Sequence, residues 1–153
     1  MKSLAPFGLF ALLGLLMGCT TPGGPAVPAA PLTGTQWELV AIQSMDDAQG
    51  TTRIAQPERF TLNFGADGQL SLRLDCNRGT GRWTHAPASA DSASGSLQIG
   101  PVTSTRALCP PPSLDTRVAR DLGFVRSYLL KDGRLFLSLM ADGGIYEWRP
   151  VRP

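Results

Sequence analysis

Leu70-Ser71-Leu72-Arg73-Leu74-Asp75-Cys76 sets an apolar residue at every second position and a polar one between. A period of two puts Leu70, Leu72, Leu74 and Cys76 on one face of a strand and Ser71, Arg73 and Asp75 on the other. One dry face and one wet face is the pattern of an antiparallel sheet. Immediately upstream, Phe60, Leu62 and Phe64 alternate with Arg59, Thr61 and Asn63. Gly65-Ala66-Asp67-Gly68 lies between the two runs and reads as a hairpin loop.

The same reading extends in both directions. Trp37–Ile42 is a first strand, and Arg82-Trp83-Thr84 fits a fourth. Residues 86–95, rich in Ala, Ser, Pro, Asp and Gly, read as a surface loop. Leu97 and Ile99 begin another strand, and Val102–Thr105 follow Gly100-Pro101. Pro110-Pro111-Pro112 breaks the pattern, and Ser113 is expected to cap a helix running to about Gly123. Leu114, Val118 and Leu122 line one face of that helix. Two strands flank Lys131–Arg134, the second setting Leu135, Leu137 and Leu139 against Phe136, Ser138 and Met140. Asp142-Gly143-Gly144 turns into a last strand, Ile145–Trp148. The expected fold class is mainly β (α+β): an antiparallel, barrel-like curved sheet with one helix packed on it.

The N-terminus carries a different signal. Lys2 precedes an apolar run from Leu4 to Leu16, which closes on Leu16-Met17-Gly18-Cys19. The run is too short for a comfortable membrane span and is soon followed by Pro and Gly. It reads as a lipobox, with residues 1–18 a lipoprotein signal peptide and Cys19 lipidated; an ordinary cleaved signal peptide is the alternative. Each buried methylene of an acyl chain contributes about 0.8 kcal/mol, so two or more chains anchor stably. Residues 20–32 have no charge and no apolar period, so with Cys19 they form a Pro/Gly/Ala tether. Residues 33–153, about 120 in number, suffice for one domain with one core. Net charge is +2 with no basic stripe, which disfavours nucleic acid.

With Cys19 assigned to lipid, Cys76 and Cys109 remain. In an exported chain such a pair suggests a disulfide; free thiols and a metal site are the alternatives. A metal site needs three or four ligands, and His85 is the only histidine. Neither a nucleophile elbow nor calcium-loop spacing around Asp46, Asp47 or Asp91 is present. No catalytic residue, cofactor or metal is expected. Cys76 shares its phase with the three leucines, so its sulfur is expected on the core side. Asn77, Gly79 and Gly81 read as a tight connection, through an Asx turn and positive φ. Trp37, Trp83 and Trp148 read as core or barrel-rim residues rather than a binding platform. Arg53, Arg59, Arg73, Arg78 and Arg82 read as residues of solvated strand faces; a basic surface, should strands two to four be neighbours, is the alternative.

Three blocks together resemble a known family. Leu32-Thr33-Gly34-Thr35-Gln36-Trp37-Glu38-Leu39 matches an "L-x-G-x-W-x-L" opening. Asp75-Cys76-Asn77-Arg78-Gly79-Thr80-Gly81-Arg82-Trp83 is similar to "G-C-N-x-x-x-G-x-Y/W". Leu97–Cys109 resembles "I-x-x-I-x-x-T-x-M-x-C". These are signatures of the META domain, a family that includes a heat-inducible bacterial lipoprotein. Asp75 stands where that family usually has Gly, and Leu108 where Met is common. The resemblance covers residues 32–149. It implies a β-rich barrel-like fold and roles in envelope stress, antibiotic tolerance or secretion. Thr20, rather than Asp, after the acylated cysteine favours the outer membrane with the domain facing the periplasm. The expected function is non-enzymatic: binding or chaperone-like action on an envelope protein or an apolar ligand. The alternative is a periplasmic inhibitor of a hydrolase such as lysozyme. Arg78, Arg82 and the 86–95 loop are the candidate partner-binding rim.

Overall fold

The computed structural model describes residues 31–89 and 93–152. The signal peptide, Cys19, the tether up to residue 30 and Asp91 lie outside the described residues. Ten strands follow in chain order: β1 Thr35–Gln43, β2 Thr51–Arg53, β3 Phe60–Phe64, β4 Gln69–Leu74, β5 Asn77–Pro87, β6 Ser94–Ile99, β7 Thr103–Ser104, β8 Val125–Lys131, β9 Arg134–Leu139 and β10 Ile145–Pro150. Among the described residues one α-helix, α1, spans Asp115–Leu122 between β7 and β8.

Eight of the strands form an up-and-down antiparallel meander in the order β1-β3-β4-β5-β6-β8-β9-β10, and β10 closes back on β1. Short β2 pairs with β1, and β7 pairs with β5. Eight strands leave an interior about as wide as the side chains that fill it. Inward residues come from every wall strand: Leu39, Leu62, Leu72, Trp83, Leu97, Tyr128, Leu137 and Trp148. The three tryptophans are all buried, as expected for core and rim positions.

Bulges adjust the phase. In β1, Leu39 faces Trp148 and Ile42 faces Tyr146, with the register shifting between Leu39 and Ala41. The extra residue turns the inward spacing from two to three, so Leu39 and Ile42 are both buried. On the outer side, Glu38 pairs with Arg149 at 2.9 Å.

The register fixes two ends. Thr35, Phe64 and Leu70 share one; Phe60, Leu74 and Asn77 share the other. Leu32 is buried at the first, where the chain enters the barrel. α1 sits at the second, where Val118 and Leu122 are buried. The helix begins one residue later than Ser113 suggested: Leu114 is the cap residue and gives no side-chain cap. Ser113 still serves the helix start, because its Oγ accepts the Asp115 N–H at 3.3 Å.

Asp121 fastens the helix to the barrel. Its carboxylate accepts the Tyr146 hydroxyl at 2.6 Å and pairs with Arg120 at 2.9 Å and Arg117 at 3.5 Å. Burial, then this bond, pushes the Tyr146 phenol far above its ordinary range. A raised tyrosine pKa favours the folded state below the unfolded value near 10 and withdraws that support as pH climbs beyond it. Stability should therefore fall on titration above about pH 10. Tyr146→Phe should cost about 1–2 kcal/mol at neutral pH and flatten the alkaline fall. Denaturant midpoints at pH 7 and pH 11 check this; equal alkaline slopes for both proteins would exclude Tyr146 as the cause.

Candidate functional site

The helix-bearing end is organised by the turn between β4 and β5. The alternation of Leu70, Leu72 and Leu74 stops at Leu74, which pairs directly with Asn77. Asp75 and Cys76 form the two-residue connection, and Asp75 has φ of +60°. This corrects two expectations. Residues 77–81 are strand rather than loop, and Cys76 is exposed rather than core-facing. The left-handed turn reverses the phase, so that Asn77 points inward and Cys76 outward. Asp75 occupies a conformation that favours glycine. Its carboxylate is 2% exposed and pairs with Arg59, while its N–H bonds the Arg59 carbonyl at 2.7 Å.

Gly79 is needed for space rather than for φ. A Cβ there would meet the Thr103 carbonyl oxygen and Val102 Cγ1, both at 3.3 Å. Its bareness lets β7 lie against β5, and this delivers residues 105–109 to the barrel end.

Asn77 holds those residues. It is 2% exposed. Its Oδ1 accepts the Thr105 hydroxyl and the Ala107 N–H, each at 2.8 Å. Its Nδ2 donates to the Ala107 carbonyl and to Asp115 Oδ2, each at 3.0 Å, and lies 3.4 Å from Cys109 Sγ. Cys76 and Cys109 are joined, with their Cα atoms 5.6 Å apart. The segment is thus held at Thr105 by the Asn77 amide and by the Arg78 N–H, which donates to the Thr105 hydroxyl at 3.1 Å, at Ala107 by the same amide, and at Cys109 by a covalent bond. Between the last two anchors stands Leu108, 99% exposed. A depression of about 630 Å³ runs beside it, lined among others by Arg106, Leu108, Asp115 and Arg120.

The arginines are distributed unevenly. Arg59 is engaged by Asp75. Arg73 and Arg78 face each other directly across β4 and β5, both exposed. Arg82 lies four residues farther along the same outer face, 3.5 Å from the Asp67 carbonyl. Strands two to four of the sequence reading are indeed neighbours. Arg78, however, lies at the helix-bearing end, whereas β5 and β6 enter the 88–93 connection at the opposite end. Arg82 borders a separate wall depression of about 380 Å³ with Thr84, Gln98 and Arg126.

The remaining polar candidates are dispersed. The His85 ring lies 5.2 Å from Trp83 and 6.5 Å from Tyr128, so its neighbours are aromatic. Among the described residues no group of three His, Cys, Asp or Glu is placed to hold a metal. Inside the barrel, Tyr128 Oη and Trp148 Nε1 are buried without a hydrogen-bond partner among the described residues.

The META domain family model matches residues 30–147. The chain belongs to the META domain family. In this META domain the second and third signature blocks meet: Cys76-Asn77 of one grips Thr105, Ala107 and Cys109 of the other. Sequence reasoning paired the cysteines but missed Asn77 as the centre, because a buried asparagine is legible only once its partners 28–38 residues away are in place. The family's usual Gly fits the φ that Asp75 adopts here. Two solved structures share the fold. One, determined by NMR, is a protein from Burkholderia xenovorans, with TM-score 0.60 and 18% identity, covering 91% of this chain and all of that one. The other, a crystal structure, is a DUF4847 family protein from Bacteroides vulgatus, with TM-score 0.55 and 13% identity, covering 78% of this chain and 94% of that one. At these identities the likeness is one of fold. No curated protein matches the META domain described here.

Proposed function

We propose that the protein is an outer-membrane lipoprotein, anchored through Cys19, whose periplasmic META domain binds an envelope protein without turning over a substrate. The observation that carries the reading is Leu108, fully exposed on a segment fixed by Asn77 and the disulfide. An apolar side chain held out in water gains nothing for the fold. A partner that buries it gains about 1.5–3 kcal/mol, and a pre-ordered loop loses little entropy on docking. The disulfide suits the oxidising compartment that the lipobox implies. Arg78 and Arg82 on the outer face of β5 are the basic residues offered alongside. The role fits an envelope-stress or antibiotic-tolerance function through a client or partner.

The same projecting loop favours one second reading, an inhibitor of a periplasmic hydrolase such as lysozyme, because a braced loop with an apolar tip can enter a cleft. Mass spectrometry of the purified protein should find an N-terminal acylated Cys19. Crosslinked envelopes should yield a discrete partner with wild-type bait, and less with Arg78→Ala/Arg82→Ala at an unchanged melting temperature. An intact, unmodified leader would remove the anchor from the proposal. Failure to retain any protein would remove the binding role. Hydrolase activity that falls when the purified chain is added would select the inhibitor reading.

A further inference from the structure

The outer face beside the braced loop carries positive charge that no carboxylate neutralises among the described residues, although Arg73 Nε donates to the Asp75 carbonyl at 3.3 Å. Arg73 and Arg78 are direct cross-strand partners, and like charges so placed destabilise a sheet. Arg106 is exposed and follows Thr105, whose N–H bonds the Arg78 carbonyl at 3.0 Å. None of the three arginines has an ion pair among the described residues. The carboxylates next to them are already bonded within the fold, although Asp115 also lines the depression beside Arg106 and Leu108. Asp75 is buried against Arg59, and Asp115 is bonded by Asn77 and Ser113. Leu108 stands beyond Arg106, 99% exposed.

We propose that Arg73, Arg78, Arg106 and Leu108 form one docking surface for an acidic region of a partner protein. The complementary site is a leucine-sized apolar pocket bordered by carboxylates. This rests on the reading above that the domain binds a protein, and it adds the face and the chemistry of the partner. Charge complementarity selects an anionic partner. The direction of the chain selects a protein over the protein's own membrane. The chain enters β1 beside Phe64, at the opposite end of the barrel from the Asp75-Cys76 turn. A lipid anchor at Cys19 would join the chain on the side of the far end, so the entry of the chain does not itself bring this surface to the membrane. The two kinds of residue divide the work: the arginines steer the encounter and make it salt-sensitive, and Leu108 supplies the buried contact.

The test uses the full-length chain in its own envelope. A photo-reactive amino acid replaces Leu108 in one version and Thr84, on the outer wall of β5, in a control. A discrete protein adduct from position 108 and none from position 84 is expected. The partner identified in that adduct, once purified, should bind the solubilised full-length protein in a salt-dependent manner. Leu108→Asp and Arg73→Gln/Arg78→Gln should each weaken that binding at least tenfold. The double arginine variant should melt at the same temperature as wild type or higher, since it relieves the like-charge pair. A lost affinity with a lowered melting temperature would instead mark the arginines as structural and overturn the proposal. So would adducts to phospholipid or to a second copy of the chain, equal labelling at both positions, or no adduct. Where wild type retains a partner and both variants bind it equally well, the binding role stands and this surface falls.

Discussion

Removing the Cys76–Cys109 bond is expected to lower the unfolding free energy by about 4 kcal/mol and the melting temperature by about 15 °C. The bond closes a loop across a separation of 33 residues. Without it the unfolded chain recovers the freedom that the closure had denied it. The folded side loses as well, because Cys109 is buried and its sulfur lies 3.3 Å from the Cys76 N–H. Cys76 is exposed, so reductant can reach the bond without prior unfolding. Urea unfolding of the oxidised protein, the reduced protein and Cys76→Ser/Cys109→Ser measures the effect. A loss below about 1 kcal/mol would mean that the segment is held by hydrogen bonds alone.

Asn77→Ala should follow at about 2–3 kcal/mol. The substitution leaves the Thr105 hydroxyl, both backbone groups of Ala107 and one Asp115 oxygen without their partner. Water can reach part of this network, since Thr105 and Ala107 are exposed, and that limits the cost. Asn77→Asp discriminates between lost volume and lost bonds. Aspartate keeps the acceptor facing Thr105 and the Ala107 N–H, but it sets a carboxylate against Asp115 and the Ala107 carbonyl. It should cost at least as much as alanine at neutral pH. If it proves milder, donation by Nδ2 is not what holds the loop. Combined with the serine pair, Asn77→Ala should cost less than the sum, because both act on the same segment.

The sequence made the leucine alternation, the hairpins and the single helix legible because each rests on a local period. It misled at Asp75-Cys76. There the polar/apolar alternation runs on unbroken while the backbone turns over, and only the φ of Asp75 separates a strand from a turn. From that one position follow the outward sulfur of Cys76, the inward amide of Asn77 and the early start of β5. β2 was missed because three residues carry no readable period, and β7 emerges as two residues within the Val102–Thr105 stretch, whose partner strand was not readable from the sequence. The closing pair β1–β10 was not legible either, since its register depends on a bulge and on residues more than a hundred apart in sequence. The docking surface divides the same way. Arg78 was visible as a basic residue, whereas its juxtaposition with Arg73 and Arg106 required the register.

Barrel closure also sets an order in time. Glu38 and Arg149, which meet across the seam, are separated by 111 residues, and β10 is the last strand among the described residues. Hairpins such as β3–β4 and β4–β5 need only nearby residues and form early, whereas a contact of such long span closes a large loop and forms late. A chain that emerges N-terminus first, from a ribosome or through a membrane pore, cannot shut its barrel until residues 145–150 have come through. Until then β1 waits with an unpaired edge. Vectorial emergence thus keeps this domain open and threadable for nearly its whole length, and the final strand acts as the latch that ends that state.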